Sequence, residues 1–326
     1  MAPAEDDISI EEKRVYAGNA GRTDAYVATE TGIVRVAFSA DKVGAFDMVT
    51  RDPARDAAVL PREAAPSLLG VASPDGLRVS PVGDEIDPVG VTDEPAVAIG
   101  VDGGTIGDGA SAGGDAFYVA TADGSVDRVA VETTADTDAA DDGSLPAFTV
   151  TSTRIGEVAE PRAVDGPLVA AADGVHRITA DSAADSGWSL ASVGLDDAHD
   201  VACAGMPLAA TATGLYWLGN GWMTARAGDA SAVAADGDGH ATAVVDGDLL
   251  VRDDRNDSDT GDGWGPDAWR ESELPVDEVA VALGYGPGVA VAVTAAGTLC
   301  VDAGDGWRHQ VIGVRDVTGV ALAERQ

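Results

Sequence analysis

The sequence predicts an all-β protein, a seven-bladed β-propeller with four-stranded antiparallel blades and a ring closed by the C-terminal strand. Three observations carry that reading. One hairpin motif recurs seven times along 326 residues, a short Ala/Val-rich stretch precedes the copies after the first, and helical periodicity is absent.

The hairpins align on a glycine. "AYVATETGIVRV" turns at Gly32, "LLGVASPDGLRV" at Gly76 and "FYVATADGSVDRV" at Gly124, followed by equivalent turns at Gly174, Gly214, Gly247 and Gly297. These seven glycines span 265 residues in six intervals, about 44 per unit, which is the length of four short strands with their turns. In each unit an apolar run meets an Asp-Gly, Thr-Gly or Ala-Gly turn, where glycine supplies a positive φ without a Cβ clash. A second apolar run follows, and several units then turn again onto a tryptophan, as in "DSGW" (Trp188), "GNGW" (Trp222) and "GDGW" (Trp264 and Trp307). The stretches ahead of the hairpins, "DAAVL", "AVAIGV", "RAVDG", "DVACAG", "SAVAADG" and "EVAVALG", are built of small residues. Small side chains suit innermost strands converging on an axis.

The ends fit a ring. The first unit begins at its second strand, "DAYVAT", and the chain finishes on an unpaired inner-strand sequence, "DVTGVALAERQ". Residues 316–326 are therefore expected to complete the first blade and abolish the open sheet edge. One propeller domain covers 1–326, with residues 1–20 expected as an N-terminal strap, although "EEKRVYAG" (11–18) within them is a rival for the closing position.

Charge is the strongest compositional signal. The formal net charge is −36, and Lys13 and Lys42 are the two lysines. Such self-repulsion opposes a compact state in dilute buffer, whereas about 1 M salt shrinks the Debye length to roughly 3 Å. The acidity thus reads as adaptation to a saline cytoplasm, and native near-UV circular dichroism is expected to fade below roughly 0.5 M salt. Residues 1–80 hold nine Lys/Arg and thirteen Asp/Glu, a net of −4, so the remaining chain carries −32. That region is either packed against the rest or a less repulsive contact face. No basic stripe exists for phosphate contacts, and the longest apolar runs fall far short of a bilayer span, so neither a nucleic acid nor a membrane is an expected partner.

Abundant Asp with scarce Lys, the "EEKRVY" opening and the "VATETGIVRV"-type repeats resemble the cytoplasmic β-propeller proteins of haloarchaea. The resemblance spans the whole chain and implies a fold without bringing an activity. No tryptophan is followed by Asp, so the WD dipeptide is absent.

Few residues suggest chemistry. Gly109–Gly113, "GASAG", matches the nucleophile-elbow spelling but lies in a Gly-rich loop that runs into a strand rather than a helix. Asp254, Asn256, Ser258 and Thr260 have calcium-loop spacing, yet Asp259 and Gly265 stand where Gly and a bidentate Glu are required. The four histidines fall in different units without metal-ligand spacing, and Cys203 and Cys300 sit in apolar runs as buried hydrophobes. Inner-strand Asp56, Asp165, Asp200 and Asp316 could converge on a channel. Arg35, Arg78, Arg128 and Arg177 recur in the third strands of four successive units, and Trp217, Leu250 and Cys300 hold the matching places later. Those arginines either pair with cross-strand carboxylates or, with Trp217, form a binding patch. No catalytic set, metal site or cofactor is expected. The preferred function is a monomeric, non-catalytic scaffold docking a protein partner. The alternatives are a metal-dependent lactonase- or lyase-type enzyme using channel carboxylates, and a sensor of small anions.

Overall fold

A computed structural model describes residues 22–39, 42–62, 65–83, 85–102, 116–134, 147–252 and 263–325. Seven four-stranded antiparallel sheets form the blades, and the helical structure among the described residues is one 3-10 turn, Pro266–Ala268. The innermost strands, in ring order from blade 1, are Val317–Arg325, Asp56–Leu60, Ala96–Val101, Pro161–Asp165, Ala198–Ala202, Ala230–Ala235 and Ala280–Gly286. Six of these are the small-residue stretches read from the sequence.

The seventh closes the ring as expected. Val317–Arg325 pairs antiparallel with Arg22–Thr29, from Arg22 opposite Arg325 to Thr29 opposite Val317, with a bulge between Ala28 and Thr29. The "EEKRVYAG", "GASAG" and calcium-like segments lie outside the described residues.

The core is divided among the seams between blades. Seven hydrophobic clusters each join one blade to the next, for example Leu60, Leu68 and Leu77 of blade 2 with Ile99, Phe117 and Val129 of blade 3. This follows from period-two alternation, because a strand in a stacked sheet has one side for each neighbour. Cys203 is buried at the seam between blades 4 and 5, and Cys300 at that between 6 and 7. Among the described residues no helix is long and apolar enough to cross a membrane.

Six of the seven turn glycines lie against the backbone of the strand end or segment that follows them. Gly297 has φ +83°, and a Cβ there would stand 2.0 Å from the Val314 carbonyl oxygen. Gly32, Gly76, Gly124, Gly174 and Gly214 are similarly covered by backbone, although Gly214 does not adopt a positive φ.

Candidate functional site: the channel, the seams and the rim

Seven inner strands leave a channel of about 400 Å³, lined by residues that include Asp56, Asp165, Asp200, His199, Arg162 and Tyr285. The residue opposite the next-to-last position of strand two is Gly319, Ala98, Ala163, Ala232 or Ala282 in five blades. In blades 2 and 5 it is Asp56 and Asp200. Each carboxylate joins two blades. Asp56 accepts from Ala57 N–H at 2.8 Å and, in blade 3, from Ile99 N–H at 3.0 Å. Asp200 repeats this with Val201 N–H at 2.9 Å and, in blade 6, Val233 N–H at 2.8 Å. Asp165 makes the same bridge two residues further along, accepting from Cys203 N–H of blade 5 at 2.7 Å.

Burial pushes the Asp56 and Asp200 carboxyls up to about 7 against the pull of these backbone donors, and the neighbouring channel carboxylates add to the rise. Burial raises Asp165 as well. Three of the four inner-strand aspartates therefore do meet at the channel, as staples between blades. Asp316 does not; it is exposed, with φ 55°, immediately ahead of the closing strand. Arg162 is tied to Asp197 at 2.7 Å, and His199 Nδ1 lies 2.9 Å from the Ala230 carbonyl oxygen. Among the described residues, no three His, Cys, Asp or Glu side chains come together so as to hold a metal ion.

The recurrent arginines sit at seams, and their register is not uniform. Arg35, Arg128, Arg177 and Trp217 lie opposite Tyr26, Tyr118, Leu168 and Leu208, three places before the end of strand two. Arg78 lies opposite Val71, two places before it, as do Leu250 and Cys300 opposite Ala243 and Ala292. One residue of slip reverses the side of the blade, so Arg35 and Arg78 approach the same seam from blades 1 and 2. Arg35 pairs with the cross-strand Asp47 at 3.1 Å and donates to the Gly83 carbonyl at 3.0 Å. Arg78 pairs with Asp52 and donates to the Pro88 carbonyl at 2.9 Å. Arg128 bonds Asp102 at 2.9 Å and lies over the Trp188 ring of blade 4, 5.2 Å from its centroid. Arg177 is half-buried, and Trp217 is buried in the seam between blades 5 and 6. The structure thus brings Arg35 and Arg78 together and places Arg128, Arg177 and Trp217 at other seams.

Two surface features escaped the sequence reading. Phe46 and Met48 on the outer strand of blade 1, Lys42–Thr50, are 45% and 41% exposed. They face the outer strand of blade 7, Arg308–Val311, whose own Val311, 55% exposed, lies opposite Thr298 and turns to the other side of that blade, toward blade 6. That neighbour has four residues against nine and is too short to cover them. The second feature is a rim groove of about 760 Å³ between the Asp246–Leu249 turn of blade 6 and the connector running from Glu271 to Ala280.

The fold has many relatives among solved structures. YCF48 bound to D1 peptide aligns with a TM-score of 0.51 at 13% identity, over 89% of this chain and 86% of that one. The WD40 β-propeller domain of Doa1 aligns at 0.50 with 13% identity, over 82% and 85%. The computationally designed Ika8 protein aligns at 0.50 with 14% identity, over 94% and 92%. At such identities the likeness establishes the architecture alone. No curated protein matches the chain. A family model does, across residues 9–323. With that match over almost its full length, and seven blades closed by its last strand, the chain belongs to the HVO_0234-like β-propeller family.

Proposed function

We propose that this propeller is a non-catalytic scaffold that docks a protein partner in a saline cytoplasm, using the outer face where blades 1 and 7 meet. The observation carrying this reading is the exposure of Phe46 and Met48 side by side on the outer strand of blade 1, in a chain with net charge −36. Large apolar side chains gathered on an otherwise charged surface mark contact sites. The charge distribution supports the same face. The first 80 residues, which supply three strands of blade 1 and most of blade 2, carry a net −4 out of −36. A partner approaching there meets the least repulsion. The peptide held by YCF48 and the WD40 assignment of Doa1 supply precedents for the architecture.

The test is affinity purification of the tagged protein from a native-source lysate in molar KCl, beside a Phe46→Asp/Met48→Asp variant. A stoichiometric partner is expected with the wild type and lost, with fold intact by circular dichroism, from the variant. A partner retained by the variant, or none with the wild type, overturns the proposal.

A further inference from the structure

Six turn glycines are pressed against backbone, and the seventh is not. A Cβ on Gly247 would meet nothing within 4 Å. The reason lies in the connector "ESELPVDEVA", residues 271–280. It bonds back to the turn through Ser272 N–H and the Leu249 carbonyl at 2.8 Å, then swings outward and leaves the groove open. Its side chains alternate. Leu274 and Val276 turn in against the cluster shared by blades 6 and 7, whereas Glu273, Pro275, Asp277 and Val279 are exposed, Val279 by 49%.

Beside Leu249, Leu274, Pro275, Val276 and Val279, the groove is lined by carboxylates whose charges are unequally committed. Asp246 accepts from Asp229 N–H at 2.8 Å, Glu271 pairs with Arg226 at 3.2 Å, and Glu278 accepts from Thr294 Oγ1 at 2.6 Å. Asp248, Glu273 and Asp277 have no cationic partner among the described residues. An occupant that fits supplies cations for the three spare carboxylates and apolar side chains for the exposed Pro275 and Val279 beside them.

We infer that the groove binds an extended segment of a partner protein in which Leu, Val or Pro alternates with Lys or Arg. The inference rests on the scaffold reading in that the ligand is a protein segment, but it uses a different surface.

The probe is a fluorescein-labelled nonapeptide alternating Leu and Lys, titrated by anisotropy with full-length protein from 0.5 to 2 M KCl, beside a peptide with Glu for each Lys. Saturable binding of the Lys peptide is expected, at least about tenfold tighter than of the Glu peptide, and weakening as salt screens the charges. Glu273→Lys/Asp277→Lys should weaken it about tenfold, whereas Asp87→Lys/Asp185→Lys, two exposed carboxylates on other blades, and Phe46→Asp/Met48→Asp should not. Absence of binding, or equal losses in both charge-reversal pairs, which would mean diffuse attraction to an acidic surface, overturns the inference. If the Lys peptide fails while the lysate partner still depends on Phe46 and Met48, the groove falls and the scaffold reading stands. If the peptide binds and no such partner exists, the reverse holds.

Discussion

The seam between blades 5 and 6 and the seam between blades 6 and 7 share a blade and are built differently. At the first, Asp200 staples two inner strands, Gly214 is covered by the Arg226 carbonyl, and Leu208, Leu215, Trp217, Leu250 and Trp269 fill the interior. At the second, Ala232 stands where the staple would be, Gly247 is uncovered, and the interior is Val244, Leu249, Cys300 and three alanines. A propeller blade is thus a standard part, whereas the joints are individual. Large apolar area, buried charge and backbone contact gather at one, and surface available to a partner is left at the other.

The largest expected effect tests the staple. Asp56 and Asp200 have carboxyls near 7 in the folded chain against 3.8 ordinarily, so between those values the folded state binds more protons than the unfolded. Their contribution to stability is therefore greatest below about pH 4 and lost as pH rises through 7. Asp200→Asn removes that dependence. Denaturant unfolding in molar KCl should show the stability difference between variant and wild type moving in the variant's favour by about 3 kcal/mol from pH 5 to pH 8. A difference that stays constant with pH would mean the carboxylate is not desolvated in the folded channel.

A paired substitution addresses the turns. Gly297→Ala puts a Cβ into the Val314 carbonyl at a positive φ and should cost about 3 kcal/mol or more, while Gly247→Ala meets φ strain alone and should cost about 1 kcal/mol. Equal losses would show that the connector of blade 6 lies against its turn in solution.

The smallest effect is kinetic, and the chain carries its own probes. Cys203 lies at a stapled seam and Cys300 at the unstapled one, and burial raises both thiols, Cys300 to about 12, so each reacts only after local opening. A thiol reagent followed by peptide mass spectrometry should modify Cys300 about tenfold faster than Cys203, with the ratio growing as KCl is lowered. Faster labelling of Cys203 would reverse the ranking of the seams.

Architecture was legible in the sequence because it rests on repeated local chemistry. Turn glycines, inner-strand alanines and a last strand without a hairpin each recur or stand out in one dimension. Asp56 and Asp200 could be named as inner-strand residues, but their donors, Ile99 and Val233, come from the following blades and no spacing rule reveals them. Arg78 was aligned with Arg35 because both follow a turn glycine closely, and only strand pairing exposes the one-residue slip that sends them to opposite sides of their blades. The connector of blade 6 did carry a signal. Leu274 and Val276 alternate with Glu273, Pro275 and Asp277, a half-buried extended pattern that passes for linker composition until its neighbours are known.

The closing strand bears on how the ring is made. Val317–Arg325 completes blade 1, yet it is the last described strand to leave the ribosome. Through nearly all of synthesis Arg22–Thr29 has a free inner edge, and Ala25 and Val27 lack the seventh blade that later buries them. Because that contact joins Arg22–Thr29 to Val317–Arg325, about 300 residues apart, it has the largest loop-closure cost of the strand pairings described. The first blade translated is therefore the last to be finished. A nascent chain stalled before residue 317 would expose a strand edge ready to pair with another chain, which makes Val317–Arg325 a safeguard against aggregation as much as a part of the fold.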